Sequence, residues 1–147
     1  MISKTAEYAL RAVLFLARTG ETKPVPAADV ARSLRLPENY LSKILHVLAR
    51  SGVVTSERGR HGGFALARPS EGISLLEIVE PFDEMGARRQ CLLGRPSCSD
   101  RSPCPAHARW AEVSDQVQDF FQDTTVADMV AQSPPAARTP QPAARSR

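Results

Sequence analysis

The apolar side chains of this chain change their period at Gly52. Before it they recur every three or four residues in three successive runs; after it they alternate. That switch prescribes three short helices followed by a β-hairpin. In the first run Ile2, Ala6, Ala9, Leu10, Val13, Leu14 and Ala17 share one face, predicting a helix over residues 3–18 with Gly20 as its stop. A polar turn over 21–25, with Pro24, separates it from a second helix over 26–34, with Val30, Ala31 and Leu34 inward. Arg35-Leu36-Pro37 makes a tight turn into a third helix over 38–51. Leu41, Ile44, Leu45 and Leu48 are its buried face, and Gly52 follows as the residue that ends it. Residues 53–57 and 64–67 read as two strands joined by the flexible basic turn 58–63.

Beyond the hairpin, Leu75, Leu76, Ile78 and Val79 mark a short helix over 74–81. Residues 86–105 show little periodicity and gather Gly, Pro, Ser, Arg and all three cysteines. A loop that long needs something to hold it. A long helix over about 105–122 carries the stripe Trp110, Val113, Val117, Phe120 and Phe121; Thr125 then caps a short helix containing Val126, Met129 and Val130. Residues 133–147, rich in Pro, Ala and Arg, read as a disordered tail. The fold class is therefore mainly α with a small β-hairpin: a winged helix-turn-helix, then a cysteine-bearing loop, then a long helix.

At 147 residues the chain accommodates one domain, or one with an appendage. Nothing approaches the ~18 apolar residues of a membrane span, and no secretory signal is apparent, so the expectation is a cytoplasmic protein with no membrane partner. The net charge of +3 is unevenly spread: residues 1–70 hold 11 Lys/Arg against 5 Asp/Glu, and residues 71–147 hold 8 against 11. A basic half joined to an acidic half suits a chain whose first half meets a polyanion. In a helix-turn-helix, the start of the third helix enters the DNA major groove. Asn39, Tyr40, Ser42, Lys43 and His46 lie on or near its exposed face. Asn39 and Ser42 have the chemistry to bond base edges, Lys43 to reach guanine or phosphate, and Tyr40 to contact sugar or phosphate. Arg58, Arg60 and His61 at the hairpin tip, among glycines, suit a minor groove. The plainer alternative is a generic small α+β domain with solubilising surface charge.

Cys91, Cys98, Cys104 and His107 follow the spacing C-x6-C-x5-C-x2-H. An odd cysteine count in a cytoplasmic chain argues against a disulfide framework. Thiolates suit both iron–sulfur clusters and zinc, and a three-Cys, one-His set can hold either. The zinc reading lacks the usual C-x2-C knuckles; the alternative is three unliganded thiols. A catalytic thiol with His107 as its base is a further reading, but no other catalytic constellation accompanies it, so an enzyme is not expected.

With both halves in view, the chain resembles the iron–sulfur winged-helix transcription regulators that include IscR and NsrR, over residues 1 to about 131. The matching stretches are Ala-Glu-Tyr-Ala-Leu-Arg (6–11), Asn-Tyr-Leu-Ser-Lys-Ile-Leu (39–45) and Leu-Ala-Arg-Ser-Gly-Val-Val (48–54). The basic, glycine-rich stretch 58–64, the cysteine trio and Thr125-Val126-Ala127-Asp128 complete the resemblance. It implies a DNA-binding domain over 1–82, a cluster loop over 83–104, a dimerisation helix region over 105–131 and a tail over 132–147. It further implies a homodimeric repressor reading a roughly palindromic operator in double-stranded DNA. The iron–sulfur cluster would rest on Cys91, Cys98 and Cys104, two-iron two-sulfur being preferred to four-iron four-sulfur. His107 occupies the place of the fourth ligand in IscR-like members; Glu7 occupies the place of an acidic ligand that other members supply from the partner subunit. One departure is the six residues between the first two cysteines, where familiar members have five. Some members work without a cluster, and a cluster-free or zinc-bearing repressor answering to a ligand or partner protein is the alternative function.

Overall fold

A computed structural model describes residues 2–19, 23–83, 91–96 and 98–132. Its elements are α1 (Lys4–Thr19), α2 (Ala27–Leu34), α3 (Glu38–Arg50), β1 (Val54–Glu57), β2 (Gly63–Leu66), a 3-10 turn (Ser70–Gly72), α4 (Leu75–Val79), α5 (His107–Asp123) and α6 (Val126–Ala131). The periodic runs thus become helices within about two residues of their expected ends. Gly20, part of the cysteine-rich stretch and the tail from 133 lie outside the described residues.

α1 is the hub, touching α2, α3, α4, α6 and β2. Its inner face is built from small residues: Ala6, Ala9 and Ala12 are completely buried beside Val13. Alanine brings no bulk, so neighbouring helices approach the axis closely while helix propensity stays high. Ser3 caps the helix, its Oγ accepting the amide of Ala6 at 3.1 Å. The Ser3 amide in turn donates to Asp83 Oδ2 at 2.7 Å, tying the start of α1 to the residues after α4.

The helix-turn-helix corner is a left-handed turn at a non-glycine residue. Arg35 has φ 56° and ψ 47°. The Leu36 amide donates to Ala31 O at 2.9 Å, which closes α2. Arg11 adds a cation at that end, donating from Nη2 to Leu34 O at 2.9 Å. α3 ends the same way at Gly52, with φ 79° and the Val53 amide donating to Leu48 O at 3.0 Å. The four apolar residues expected on its inner face, Leu41, Ile44, Leu45 and Leu48, are all buried. Each contributes roughly 1.5–3 kcal/mol of apolar burial.

β1 and β2 pair antiparallel, Val54 opposite Leu66 and Glu57 opposite Gly63. Val25, expected in a polar turn, instead bridges to Phe64: the Val25 amide donates to Phe64 O at 2.9 Å and the Phe64 amide to Val25 O at 2.8 Å. The hairpin is thereby fastened to the segment entering α2. At the far side, α4 and α6 start side by side, each with a capping box: Ser74 with Glu77, Thr125 with Asp128. The two caps bridge through their backbones, Leu75 donating to Thr124 O and Val126 to Ile73 O, both at 2.9 Å. Phe121 and Val126 consequently enter the core formed by the N-terminal helices. Among the described residues no helix is long and apolar enough to cross a membrane.

Candidate nucleic-acid interface and cysteine site

α3 is packed along one side and open along the other. Asn39, Lys43, His46 and Arg50 are exposed and Ser42 is half-buried. Their spacing of four, three and four residues puts them in one row. Tyr40 is 39% exposed, and its hydroxyl shares a hydrogen bond with Thr5 Oγ1 at 2.5 Å. Its ring stands edge-on to Tyr8, centroids 6.0 Å apart. Tyr40 therefore braces α3 against α1, with one edge of its ring left to solvent.

His46 turns toward the wing, its ring edge-on to Phe64 at 5.2 Å. Phe64 is itself 5% exposed, so this contact sets the angle between α3 and the hairpin. Beyond it runs an open groove lined by His46, Arg50, Thr55 and Ser56 among others. Arg50 was missing from the residues singled out by sequence. Its signal was available: it stands seven residues after Lys43, on the same helical row. The hairpin tip carries Arg58, Arg60 and His61, all exposed. Gly63 explains how the tip is held. A Cβ there would fall 2.4 Å from the backbone carbonyl of Val25, so only glycine permits the close bridge beneath the tip. The α3 row and the basic tip set an open polar helix face beside a cationic loop, the pair of surfaces that a winged helix lays on a duplex.

Cys91, Cys98 and Cys104 are half-buried, and none is in a disulfide. Cys98 Sγ lies 3.3 Å from His107 Nδ1. The backbone amides of Arg95 and then Leu93 hold the Cys91 thiol below the usual range, favouring thiolate. His107 begins α5 and is buried at 8% exposure; its amide donates to Cys104 O at 2.9 Å and its Nε2 lies 2.7 Å from Asp100 Oδ1. Among the described residues no three His, Cys, Asp or Glu side chains converge on one metal-ion position. The donor set, three thiols and an imidazole, nevertheless has the chemistry of an iron–sulfur ligand set. Glu7 lies apart on α1, 2.7 Å from Lys4 Nζ and 3.9 Å from Arg11 Nη1. The hydrogen bond from Lys4 keeps its carboxyl below the ordinary value.

The stripe expected on α5 divides. Phe121 is buried in the core, and Val117 packs partly against it. Val113 and Phe120, seven residues apart, are 49% and 52% exposed. Leu92 and Leu93 on the cysteine loop are also exposed.

Comparison with known proteins bears on both surfaces. The family described as Rrf2, iron-dependent transcriptional regulator, matches residues 2–132. An HTH-type transcriptional regulator of Aquifex aeolicus is 36% identical over 132 residues, 88% of this chain and 91% of that protein. IscR of Enterobacter sp. is 30% identical over 129 residues, 88% of this chain and 78% of that protein. Among solved structures, the global cysteine regulator CymR of B. subtilis superposes with a TM-score of 0.76 at 22% identity, covering 91% of this chain and 98% of its own. IscR of T. potens superposes at 0.71 and 24% identity, covering 91% of this chain and 92% of its own. At those identities the two structures speak to the fold, which is that of winged-helix regulators.

Proposed function

Because the chain belongs to the Rrf2 family of DNA-binding transcriptional regulators, which includes IscR and NsrR, we propose that it is a homodimeric repressor that senses redox, nitrosative or iron–sulfur status through a cluster on its cysteine loop. Its relatives are transcription regulators and not enzymes. The observation that carries the sensor reading is the contact of Cys98 with His107, 3.3 Å apart, on a loop that also holds Cys91 and Cys104. Cys91, Cys98, Cys104 and His107 would hold the cluster, with two irons preferred to four. Glu7 of a partner subunit is the alternative to His107. When bound, the cluster would supply an oxidant-labile and nitric-oxide-labile group whose presence changes how the loop packs.

The reading surface would be the row Asn39, Ser42, Lys43 and His46, extended by Arg50, with Tyr40 at its edge and Arg58, Arg60 and His61 on the minor groove. Exposed Val113 and Phe120 on α5 support a second copy as the partner covering that face. A twofold dimer would set two recognition helices about 34–36 Å apart on a roughly palindromic operator.

The test is anaerobic purification followed by the visible spectrum and assays of iron, acid-labile sulfide and zinc, then gel shifts with and without the cluster. Iron and sulfide lost in Cys98→Ala, with operator affinity depending on loading, is the expected result. Lys43→Ala should weaken operator binding by about 1–3 kcal/mol if it reads a base; an unchanged affinity would move the reading face off α3. A second reading is a cluster-free or zinc-bearing repressor. It is favoured by the lack of any three-donor group among the described residues. A colourless protein that still binds its operator would establish it, and bound zinc would recast the loop as structural.

A further inference from the structure

Asp100 was not among the residues that the sequence singled out, yet it makes the closest side-chain contact to His107. His107 is the only buried polar residue among the described ones. A neutral imidazole carries one hydrogen and one lone pair on its two nitrogens, and its neighbours decide which nitrogen has which. An ionised carboxylate only accepts. Asp100 Oδ1, 2.7 Å from Nε2, therefore calls for the hydrogen on Nε2. That leaves Nδ1 bare and facing Cys98 Sγ at 3.3 Å. The ring cannot turn over without placing a hydrogen-bonding nitrogen elsewhere in a buried position. Its backbone is also fixed, with the His107 amide donating to Cys104 O at the first turn of α5.

We propose that Asp100 is a positioning residue for His107: its carboxylate takes the Nε2 hydrogen and fixes the tautomer whose Nδ1 faces Cys98, which makes Nδ1 the atom His107 offers to iron. The inference rests on the cluster reading above for its purpose, though not for its geometry. Carboxylate–histidine pairs of this kind orient metal-ligating imidazoles and raise their basicity, and their loss commonly costs 10–100-fold in metal affinity. Here the carboxylate comes from between the second and third cysteines. One short loop thus supplies thiols and also the group that aims the imidazole.

Two measurements test it. The first uses metal-free, reduced protein with 15N-labelled histidine at mildly alkaline pH. In wild type, Nδ1 should resonate as a bare, pyridine-type nitrogen and Nε2 as a protonated, pyrrole-type nitrogen. Asp100→Ala should mix the two tautomers, and Asp100→Glu, whose carboxylate can only accept, should restore the wild-type pattern. A wild-type ring protonated on Nδ1, or a pattern unmoved in Asp100→Ala, overturns the proposal. The second uses the anaerobically reconstituted holoprotein and reads loss of iron and sulfide to a chelator. Asp100→Ala should lose its cluster about 10-fold or more faster, and Asp100→Glu should stay near wild type. Equal retention in Asp100→Ala overturns the positioning role. A wild type that takes up no cluster defeats the sensor reading instead, while the tautomer is still decided by the first measurement. Melting curves of both variants separate unfolding from either effect.

Discussion

Arg68 holds three separate segments with one side chain. Its Nε donates to Gly72 O at 2.9 Å, its Nη1 to Gly52 O at 3.1 Å, and its Nη2 to the carboxylate of Glu77. The ends of α3, the 3-10 turn and α4 are thereby pinned behind the wing. Glu77 also caps α4 by accepting the Ser74 amide at 2.9 Å. Burial pushes its carboxyl up, but the Ser74 amide and the Arg68 guanidinium outweigh that and hold it below the ordinary 4.5. A depressed carboxyl contributes stability that is complete above its unfolded value and is lost as pH falls through the folded one. Glu77→Gln should therefore melt below wild type at pH 7, and the gap should close as pH falls below the ordinary carboxylate range. A gap of constant size in melts at pH 7 and pH 3 would mean that charge plays no part. None of this could be read from the chain, because Arg68 and Glu77 look like ordinary surface charges until the fold brings them together. Tyr40 and His46 teach the same lesson. Their place on the open side of α3 followed from the helical period, whereas the Thr5 hydroxyl and the Phe64 ring that hold them belong to other elements.

The elements themselves were legible wherever a period ran long enough. Leu41, Ile44, Leu45 and Leu48 fell on the inner face of α3 as their spacing required. The two Thr/Ser caps were legible in part: Thr125 announced α6, but its backbone bridge to Ser74 joins residues 51 apart and leaves no mark on either segment. Val25 was missed for a similar reason. A single bridging residue has no period, and its role is written only in the glycine it faces. Gly63→Ala should force the hairpin away from Val25, where a Cβ would sit 2.4 Å from backbone that cannot move aside as a side chain does. We expect a loss of about 1–3 kcal/mol in stability and a larger loss in operator binding, because the basic tip would shift with the hairpin. Chemical denaturation and gel shifts on the one variant measure both; wild-type values for both would mean that the bridge does not hold the wing. The α5 stripe could not be resolved from its spacing, because a helix serving its own core on one flank and solvent or a partner on the other spaces its apolar residues alike for both. The structure assigns Phe121 inward and leaves Val113 and Phe120 outside.

At the scale of the whole molecule, the first helix and the last share one core. α1 touches α6, and Val126 is fully buried beside the residues of the helix-turn-helix. Val126→Ala should cost about 2 kcal/mol and lower a single calorimetric transition in which helix content and the tyrosine environment at Tyr8 and Tyr40 are lost together. Two separate transitions, with only the later residues affected, would show that the halves are independent. Asp83, which holds the start of α1, and α5, which returns from His107 toward that core, bracket the cysteine-rich stretch at both of its ends. The order in which such a chain is synthesised then acquires a meaning. Residues 1–83 leave the ribosome first, but the core they begin lacks Phe121 and Val126 until some forty more residues have followed. The cysteines at 91, 98 and 104 emerge inside that interval. Every newly made copy therefore carries its thiols out before the core beneath its first three helices is complete, and whatever the loop acquires it has the opportunity to acquire while the protein is still being born.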